Sequence, residues 1–471
     1  MKRNEELIKN TLILGIGQLI PKLMTIITLP ILTAYLSTSE FGSYDLMITL
    51  AGLLIPIITM QIFQGVFRHL VSANEEKDKR KYVTAAIAYI LGACVVFTPL
   101  AYLGLRLFNI GHTTSLYVCA VLLAEAIYYV VGQVCRGLGH NIYFSVGAII
   151  FSVTNMLAII MFVVIFRWGI DGVILSIICG YMLAVAYMFV FSRAYKLCNK
   201  SYFSISALKQ LLKFSIPLVP NSLSVWVVNL SNRLVVTGFL GSSANGVFSV
   251  ANRIPNMYNT AYNIFNLAWM ESASKASDEG NPDEYYSKMY DMLFKFLLGI
   301  MLVLIALTPI LFKVLVNEKY REAYYQIPIL YVGVFLSSIV FFYGGIYIAL
   351  KRTKQVGYSS IMGAVINLVI NLLFIKWIGL YAASISTVIS YMAILLYRMY
   401  DLNKVISIKY NYIKMVSELA ILIVSVIMCM VNNAVTFLSC FVIAILYNLI
   451  ENKFLIVFMV NKARLLVGSK E

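Results

Sequence analysis

Five asparagines recur along one segment of the chain, and their amides could bind a polar ligand. Their spacings of four, three, four and three residues place all of them on one face of a helix; they are Asn252, Asn256, Asn259, Asn263 and Asn266. At 1.5 Å per residue the row extends over ~21 Å. Amides on such a face either line a hydrated cavity or form hydrogen bonds to neighbouring helices. Because five of them lie in register beside Arg253, we expect a cavity.

Three of the basic residues that lie within apolar segments are candidate ligand-binding residues, because an unpaired charge is costly there. Lys22 shares a helical face with Gln18, and Arg233 and Arg253 flank a predicted turn at 241–246 at similar distances from it. These cations suit an anionic group such as a phosphate. Two further amides continue the polar face toward Arg233: Asn229 and Asn232.

Two carboxylates, Asp45 and Glu125, are placed within apolar segments as well. Each could pair with an arginine, or could bind a proton or a sodium ion reversibly and so couple the protein to a membrane gradient. For Asp45 we expect an ion pair with an arginine that closes a gate on the outer side. The segment FSIPLVPNSL contains Pro217 and Pro220, which should kink its helix and could act as a hinge.

The elements that position these residues are membrane helices. Of the 471 residues, 61% are hydrophobic and only 12% are charged, which gives more apolar surface than a soluble core can bury. We therefore predict an all-α polytopic membrane protein with about 14 transmembrane helices. The apolar runs lie near residues 9–35, 43–70, 82–105, 114–135, 142–166, 171–193, 210–238, 246–271, 289–316, 324–350, 355–377, 380–402, 411–431 and 435–460.

The distribution of lysine and arginine predicts the orientation of these spans. Of the 37 basic residues, 26 lie at the termini and in the even-numbered loops, 6 lie in the odd-numbered loops, and 5 lie within spans. Both termini are therefore expected in the cytoplasm. The net charge of +16 is spread over many short loops and not over one face, so we do not expect a nucleic-acid partner.

Several classes of catalytic site lack their signatures. The chain has no GxxxxGK[ST] phosphate-binding loop, its seven cysteines form no CxxC pair, and its three histidines lack metal-ligand spacing. The predicted external loops are about ten residues or shorter, which leaves no room for a catalytic domain there. We therefore expect neither enzymatic activity nor a bound metal.

An internal repeat relates the two halves of the chain. A shift of 204 residues aligns Ser39 with Ser243 and Gly42 with Gly246 without a gap. Six predicted spans separate the copies, so both copies cross the membrane in the same direction. This predicts an N-terminal six-helix lobe at 1–200, a second lobe at 201–405, and two extra helices with a cytoplasmic tail at 406–471. Parallel repeats of this kind are a transporter architecture that works by alternating access.

Three segments carry a family resemblance: LPILTAYLSTSEFGSYDLMITL, FSIPLVPNSL and GVFSVANRI. They resemble the polysaccharide biosynthesis branch of the MOP superfamily, the Wzx-type flippases of O-antigen, capsule and related glycans. The resemblance implies a V-shaped fold in the bacterial inner membrane. It also implies movement of an undecaprenyl-diphosphate-linked oligosaccharide from the inner to the outer leaflet. Lys22, Arg233 and Arg253 would then face the diphosphate, the asparagines would face the glycan, and the prenyl tail would stay in lipid.

Two other functions fit the same architecture less well. A MATE-type multidrug antiporter needs a net acidic site, whereas this site has three bases against two acids. A membrane glycan polymerase or ligase needs a large external loop. As partners we expect membrane lipid and the lipid-linked glycan, together with a glycan polymerase and glycosyltransferases of the same pathway. We expect a monomer, with H+ or Na+ as the coupling ion.

Overall fold

The computed structural model describes residues 2–278, 282–350 and 352–453, and within these ranges every regular element is helical. This confirms the predicted all-α class. The α-helices of the described ranges are α1 (Lys2–Tyr35), α2 (Thr38–Thr59), α3 (Ile62–Ser72), α4 (Glu76–Leu107), α5 (His112–Gly137), α6 (Asn141–Ile159), α7 (Gly169–Phe191), α8 (Ile205–Ser215), α9 (Val219–Asp278), α10 (Pro282–Leu315), α11 (Ala323–Ala349), α12 (Thr353–Ile378), α13 (Leu380–Leu402), α14 (Tyr412–Val431) and α15 (Ala434–Glu451). A π-helical turn (Ile160–Ile165) extends α6.

The helices are those of a multi-pass membrane protein. In the described part of the chain, 13 of them are long and apolar enough to cross a membrane. One of these candidates, Leu230–Thr260, contains Gly241, whose φ of 88° and ψ of 170° are not helical. Counting the two arms of α9 separately gives fourteen, the predicted number. The predicted turn at 241–246 is confined to Gly241. Glycine suits this position because it adopts such a backbone conformation at no steric cost.

The predicted second span, 43–70, begins earlier and is not continuous. Ser37 caps α2 because its hydroxyl accepts from the Glu40 amide at 3.2 Å, while the Glu40 carboxylate accepts from the Ser37 amide at 2.8 Å. The helix then ends at Thr59, where Met60 and Gln61 both adopt left-handed backbone angles. The run of apolar residues passes through this break, which is why periodicity alone did not reveal it.

The chain forms two compact units, Met1–Gly246 and Val247–Glu471. The core of the first unit is built from small and branched apolar side chains of α2, α3, α4, α5 and α8. Helix α3 approaches α8 closely, since a Cβ on Gly65 would lie 2.7 Å from the carbonyl oxygen of Leu211. Close packing of this kind holds helices together in lipid, where apolar burial contributes little.

The second unit has an aromatic core. The ring of Trp269 stacks on Phe342 at 4.3 Å, and its indole nitrogen donates to the Phe342 carbonyl at 3.0 Å. Helix α15 packs on α10 through amide hydrogen bonds, with Asn448 donating to the carbonyl of Gly299 at 3.1 Å. The lobe boundaries at 200 and 405 and the separate C-terminal segment stay a prediction.

Candidate functional site

Asp45 and Arg233 form an ion pair within the first unit. The Nε atom of Arg233 on α9 lies 2.5 Å from Oδ2 of Asp45 on α2. The exposed fractions of the two side chains are only 18% and 8%, respectively. Limited contact with water strengthens the Coulomb attraction and makes loss of either partner costly. The structure therefore brings together two residues that the sequence placed 188 positions apart.

The amides of α9 form hydrogen bonds along their own helix. Asn252 donates to the Phe248 carbonyl at 2.8 Å, and Asn259 donates to the side-chain oxygen of Asn256 at 3.0 Å. Asn256 is exposed and Asn259 half-buried. Within the described residues, none of these three amides bonds to another helix. The hydrogen-bonded pair Asn256–Asn259 lies at an exposed position, whereas Asn252 is half-buried.

The other predicted site residues of α9 are less exposed than Asn256, or their side chains lie outside the described residues. Asn266 accepts from the hydroxyl of Tyr262 at 3.2 Å. The side chains of Asn229 and Asn263 lie outside the described residues. Arg253 is half-buried on the same helix as the row. Asn232, next to Arg233, is buried with 7% exposure, which separates it from the exposed amides.

Lys22 and Gln18 lie on α1. Gln18 is exposed and Lys22 half-buried. Among the residues that the structure describes, no carboxylate forms an ion pair with Lys22. Thr25, on the same face, satisfies its hydroxyl by donating to the Pro21 carbonyl at 3.0 Å. The predicted binding of an anionic group by Lys22 stays a prediction.

Glu125 lies on α5 among aromatic residues. The hydroxyls of Tyr129 and Tyr181 approach its carboxyl group. The ring of Tyr181 stacks on Phe151 at 4.4 Å and lies 5.1 Å from the ring of Tyr128. In the described part of the chain no basic side chain forms an ion pair with Glu125, unlike Asp45. Sequence reasoning missed these tyrosines, although Tyr128 and Tyr129 follow Glu125 at helical spacings of three and four residues.

The two predicted hinge prolines lie where two helices join. Pro217 is in a 3-10 turn, Ile216–Leu218, that separates α8 from α9. Pro220 is the second residue of α9. A missing amide hydrogen is tolerated in the first turn of a helix, so both prolines fit this junction. Their role as a hinge stays a prediction.

Comparison with protein families identifies this chain. The model of a family described as "Polysaccharide biosynthesis protein" matches residues 7–270, which is more than half of the chain. This protein belongs to the polysaccharide biosynthesis protein family. The match includes every candidate site residue named above, from Gln18 to Asn266. No curated protein sequence matches the chain significantly.

Solved structures show the fold that this family member adopts. The lipid II flippase MurJ, in an inward closed conformation, matches with a TM-score of 0.72 at 17% identity, over 95% of this chain and 100% of its own. An inward-facing multidrug resistance MATE family transporter of the MOP superfamily matches with a TM-score of 0.65 at 13% identity, over 83% of this chain and 98% of its own. A MOP superfamily transporter from Pyrococcus furiosus matches with a TM-score of 0.54 at 15% identity, over 84% of this chain and 95% of its own. The predicted MOP superfamily fold is confirmed.

Proposed function

We propose that this protein is a flippase that moves an undecaprenyl-diphosphate-linked oligosaccharide from the inner to the outer leaflet of the bacterial inner membrane. Family membership supports a role in polysaccharide biosynthesis, and the fold is shared with a lipid II flippase. The observation that carries the proposal is the exposed amide face of α9. Asn256 and Asn259 offer hydrogen-bond donors and acceptors in a chain whose residues are mostly hydrophobic.

The chemistry of the predicted site residues matches the two polar parts of this substrate. The lipid diphosphate needs cations, which Lys22 and Arg253 supply. Arginine binds phosphate oxygens in a bidentate manner, whereas lysine acts as a point charge. The glycan needs neutral donors and acceptors, which Asn256 and Asn259 supply. The prenyl chain needs no polar partner and stays in the lipid bilayer.

Transport against a gradient of substrate needs an energy source, and we assign coupling to Glu125. Asp45 is paired with Arg233, so its charge already has a partner. Glu125 has two tyrosine hydroxyls and aromatic rings around it. One carboxyl group and two hydroxyls are too few oxygens to replace the hydration shell of Na+. A proton needs only the carboxyl group, and we therefore propose H+ as the coupling ion.

The cytoplasmic position of both termini follows from the predicted charge distribution and is part of the proposal. With the termini inside, the connection between α1 and α2 lies at the outer surface. A residue of this connection, Ser37, can therefore be used to test the orientation. A cysteine placed at this position should react with an impermeant thiol reagent added to intact spheroplasts.

The proposal is tested by deleting the gene in its source bacterium. We expect loss of the surface polysaccharide and accumulation of the lipid-linked oligosaccharide in the membrane, with glycosyltransferase activity intact. Complementation with the wild-type gene should restore both. A glycan polymerase would give a different result, because single repeat units would then still reach the outer leaflet. Unchanged surface polysaccharide in the deletion strain would contradict the proposal.

A further inference from the structure

We propose that two copies of one small-residue motif close the outer end of the transport path as a gate. The first copy is Thr38-x-x-x-Gly42 on α2, and the second is Ser242-x-x-x-Gly246 on α9. Both lie within the first unit, and the Asp45–Arg233 ion pair lies beside them. The inference rests on the proposed transport function, because a gate has meaning only if the path behind it opens.

The backbones of the two helices touch at the glycines. A Cβ on Gly42 would overlap the carbonyl oxygen of Ser242 and would lie 2.6 Å from the amide nitrogen of Gly246. A Cβ on Gly246 would overlap the carbonyl oxygen of Thr38 and would lie 3.1 Å from the amide nitrogen of Gly42. No side chain larger than hydrogen fits at either position while the helices are in contact. Small residues four apart allow this approach in membrane helices.

The crossing brings equivalent residues of the repeat against each other. The shift of 204 residues that relates the two halves pairs Thr38 with Ser242 and Gly42 with Gly246. Each motif therefore packs against its own copy, with Thr38 over Gly246 and Ser242 over Gly42. This is the reciprocal arrangement of a two-fold interface, in which residue i contacts j and residue j contacts i.

Polar contacts fix the crossing and distinguish it from simple packing. The amide of Asn245 donates to the Gly42 carbonyl at 2.8 Å, and the hydroxyls of Thr38 and Ser243 are 2.7 Å apart. Asn245 is fully buried, whereas the Thr38–Ser243 contact is exposed. Water can therefore reach the rim and replace its hydrogen bonds when the helices separate.

The experiment locks the crossing with a disulfide. In a variant lacking the seven native cysteines, Thr38→Cys and Ser243→Cys are combined and the full-length protein is expressed in the deletion strain. Because the native hydroxyls are 2.7 Å apart, the two thiols can reach the ~2 Å of a disulfide. We expect cross-linking in membranes, loss of surface polysaccharide under oxidation, and recovery after reduction. The single-cysteine variants should be insensitive to both treatments.

A second cysteine pair provides the matched control. A Cβ on Gly333 of α11 would lie 3.3 Å from Cγ2 of Thr387 on α13, so Gly333→Cys with Thr387→Cys should also cross-link. This pair joins two helices that take no part in the crossing, and export should continue when it is oxidised. Export that continues with the Thr38–Ser243 pair cross-linked would overturn the gate and leave the flippase function standing. Failure of the Thr38–Ser243 pair to cross-link would overturn the crossing itself. Failure of the wild-type gene to support export would instead contradict the proposed function.

Discussion

Gly42 on α2 and Gly246 on α9 occupy equivalent positions in the two halves of the chain. A Cβ at either glycine would overlap the backbone of the other helix. The same two helices carry the ion pair between Asp45 and Arg233. Duplication therefore kept the residues that let the backbones touch, while the charges differ between the copies. In the proposed gate, the backbone contact closes the path and the ion pair, with its limited exposure, stabilises the closed state.

Charge reversal tests the ion pair. Removing one partner of a pair with so little exposure costs ~3 kcal/mol or more, which changes the population of a closed state by ~100-fold. Asp45→Arg should therefore greatly reduce surface polysaccharide at an unchanged protein level. Adding Arg233→Asp should restore most of it, because the pair is rebuilt with opposite polarity. No recovery in the double variant, with both proteins folded, would show that the charges act separately.

A bulky side chain at the crossing should hold the outer end open. We expect Gly42→Leu to abolish polysaccharide export and to make Thr38→Cys more reactive toward an impermeant thiol reagent. Gly92→Leu is the matched control, since a Cβ at Gly92 on α4 meets no atom within 4 Å. The Gly92→Leu variant should support polysaccharide export like the wild type. Thr38→Cys should be labelled to the same extent with and without Gly92→Leu. Equal labelling of Thr38→Cys with and without Gly42→Leu would contradict this prediction.

Much of this fold follows from the sequence because lipid imposes simple rules. Apolar runs long enough to cross a membrane predicted the helices, and matched glycines predicted the repeat. The break at Met60 and Gln61 was not predictable, since both residues have side chains that usually avoid left-handed angles. The single-residue turn at Gly241 was likewise hidden, because polar residues after it suggested a longer loop.

The candidate site was predictable in composition more than in geometry. Periodicity placed the asparagines on one face of α9, and an arginine partner for Asp45 was expected from the cost of an isolated charge in lipid. Which arginine, and at what distance, depends on the packing of α2 against α9, which no local pattern encodes. The tyrosines around Glu125 come partly from α7, and only the folded chain brings Tyr181 to that position.

The amide face of α9 should be needed for transport and not for folding. Asn256→Leu with Asn259→Leu removes a hydrogen-bonded pair from an exposed surface, so protein level and thermal stability should change little. Surface polysaccharide should fall at least tenfold, which corresponds to ~1.4 kcal/mol of lost substrate binding. Asn256→Gln with Asn259→Gln keeps the amides and should retain part of the activity. Full export in the leucine variant would show that the amides are not part of the binding site.

Glu125→Gln should uncouple transport from the proton gradient. The amide is close in shape to a protonated carboxyl group but cannot release a proton. In proteoliposomes the wild type should flip substrate faster with an imposed pH gradient, whereas the variant should be indifferent to it. Tyr181→Phe removes one hydroxyl and should keep the gradient dependence with a shifted pH profile. Gradient dependence that survives in Glu125→Gln would place coupling elsewhere.

The cation on α1 should be recognisable by its chemistry. Lys22→Ala removes a charge that has no carboxylate partner within the described residues, so folding should be unaffected and export should be lost. Lys22→Arg keeps the charge and should restore export. Equal loss in both variants would indicate that Lys22 serves helix packing and not the diphosphate.

Reconstituted flipping tests the central claim most directly. Purified protein is placed in liposomes with undecaprenyl-diphosphate-linked oligosaccharide extracted from the deletion strain, and the fraction cut by an externally added glycosidase specific for that glycan is followed over time. The account predicts that this fraction rises above the initial outer-leaflet share with wild-type protein, and stays constant with oxidised Thr38→Cys/Ser243→Cys protein or with empty liposomes. An unchanged fraction with folded wild-type protein under an imposed pH gradient would contradict it.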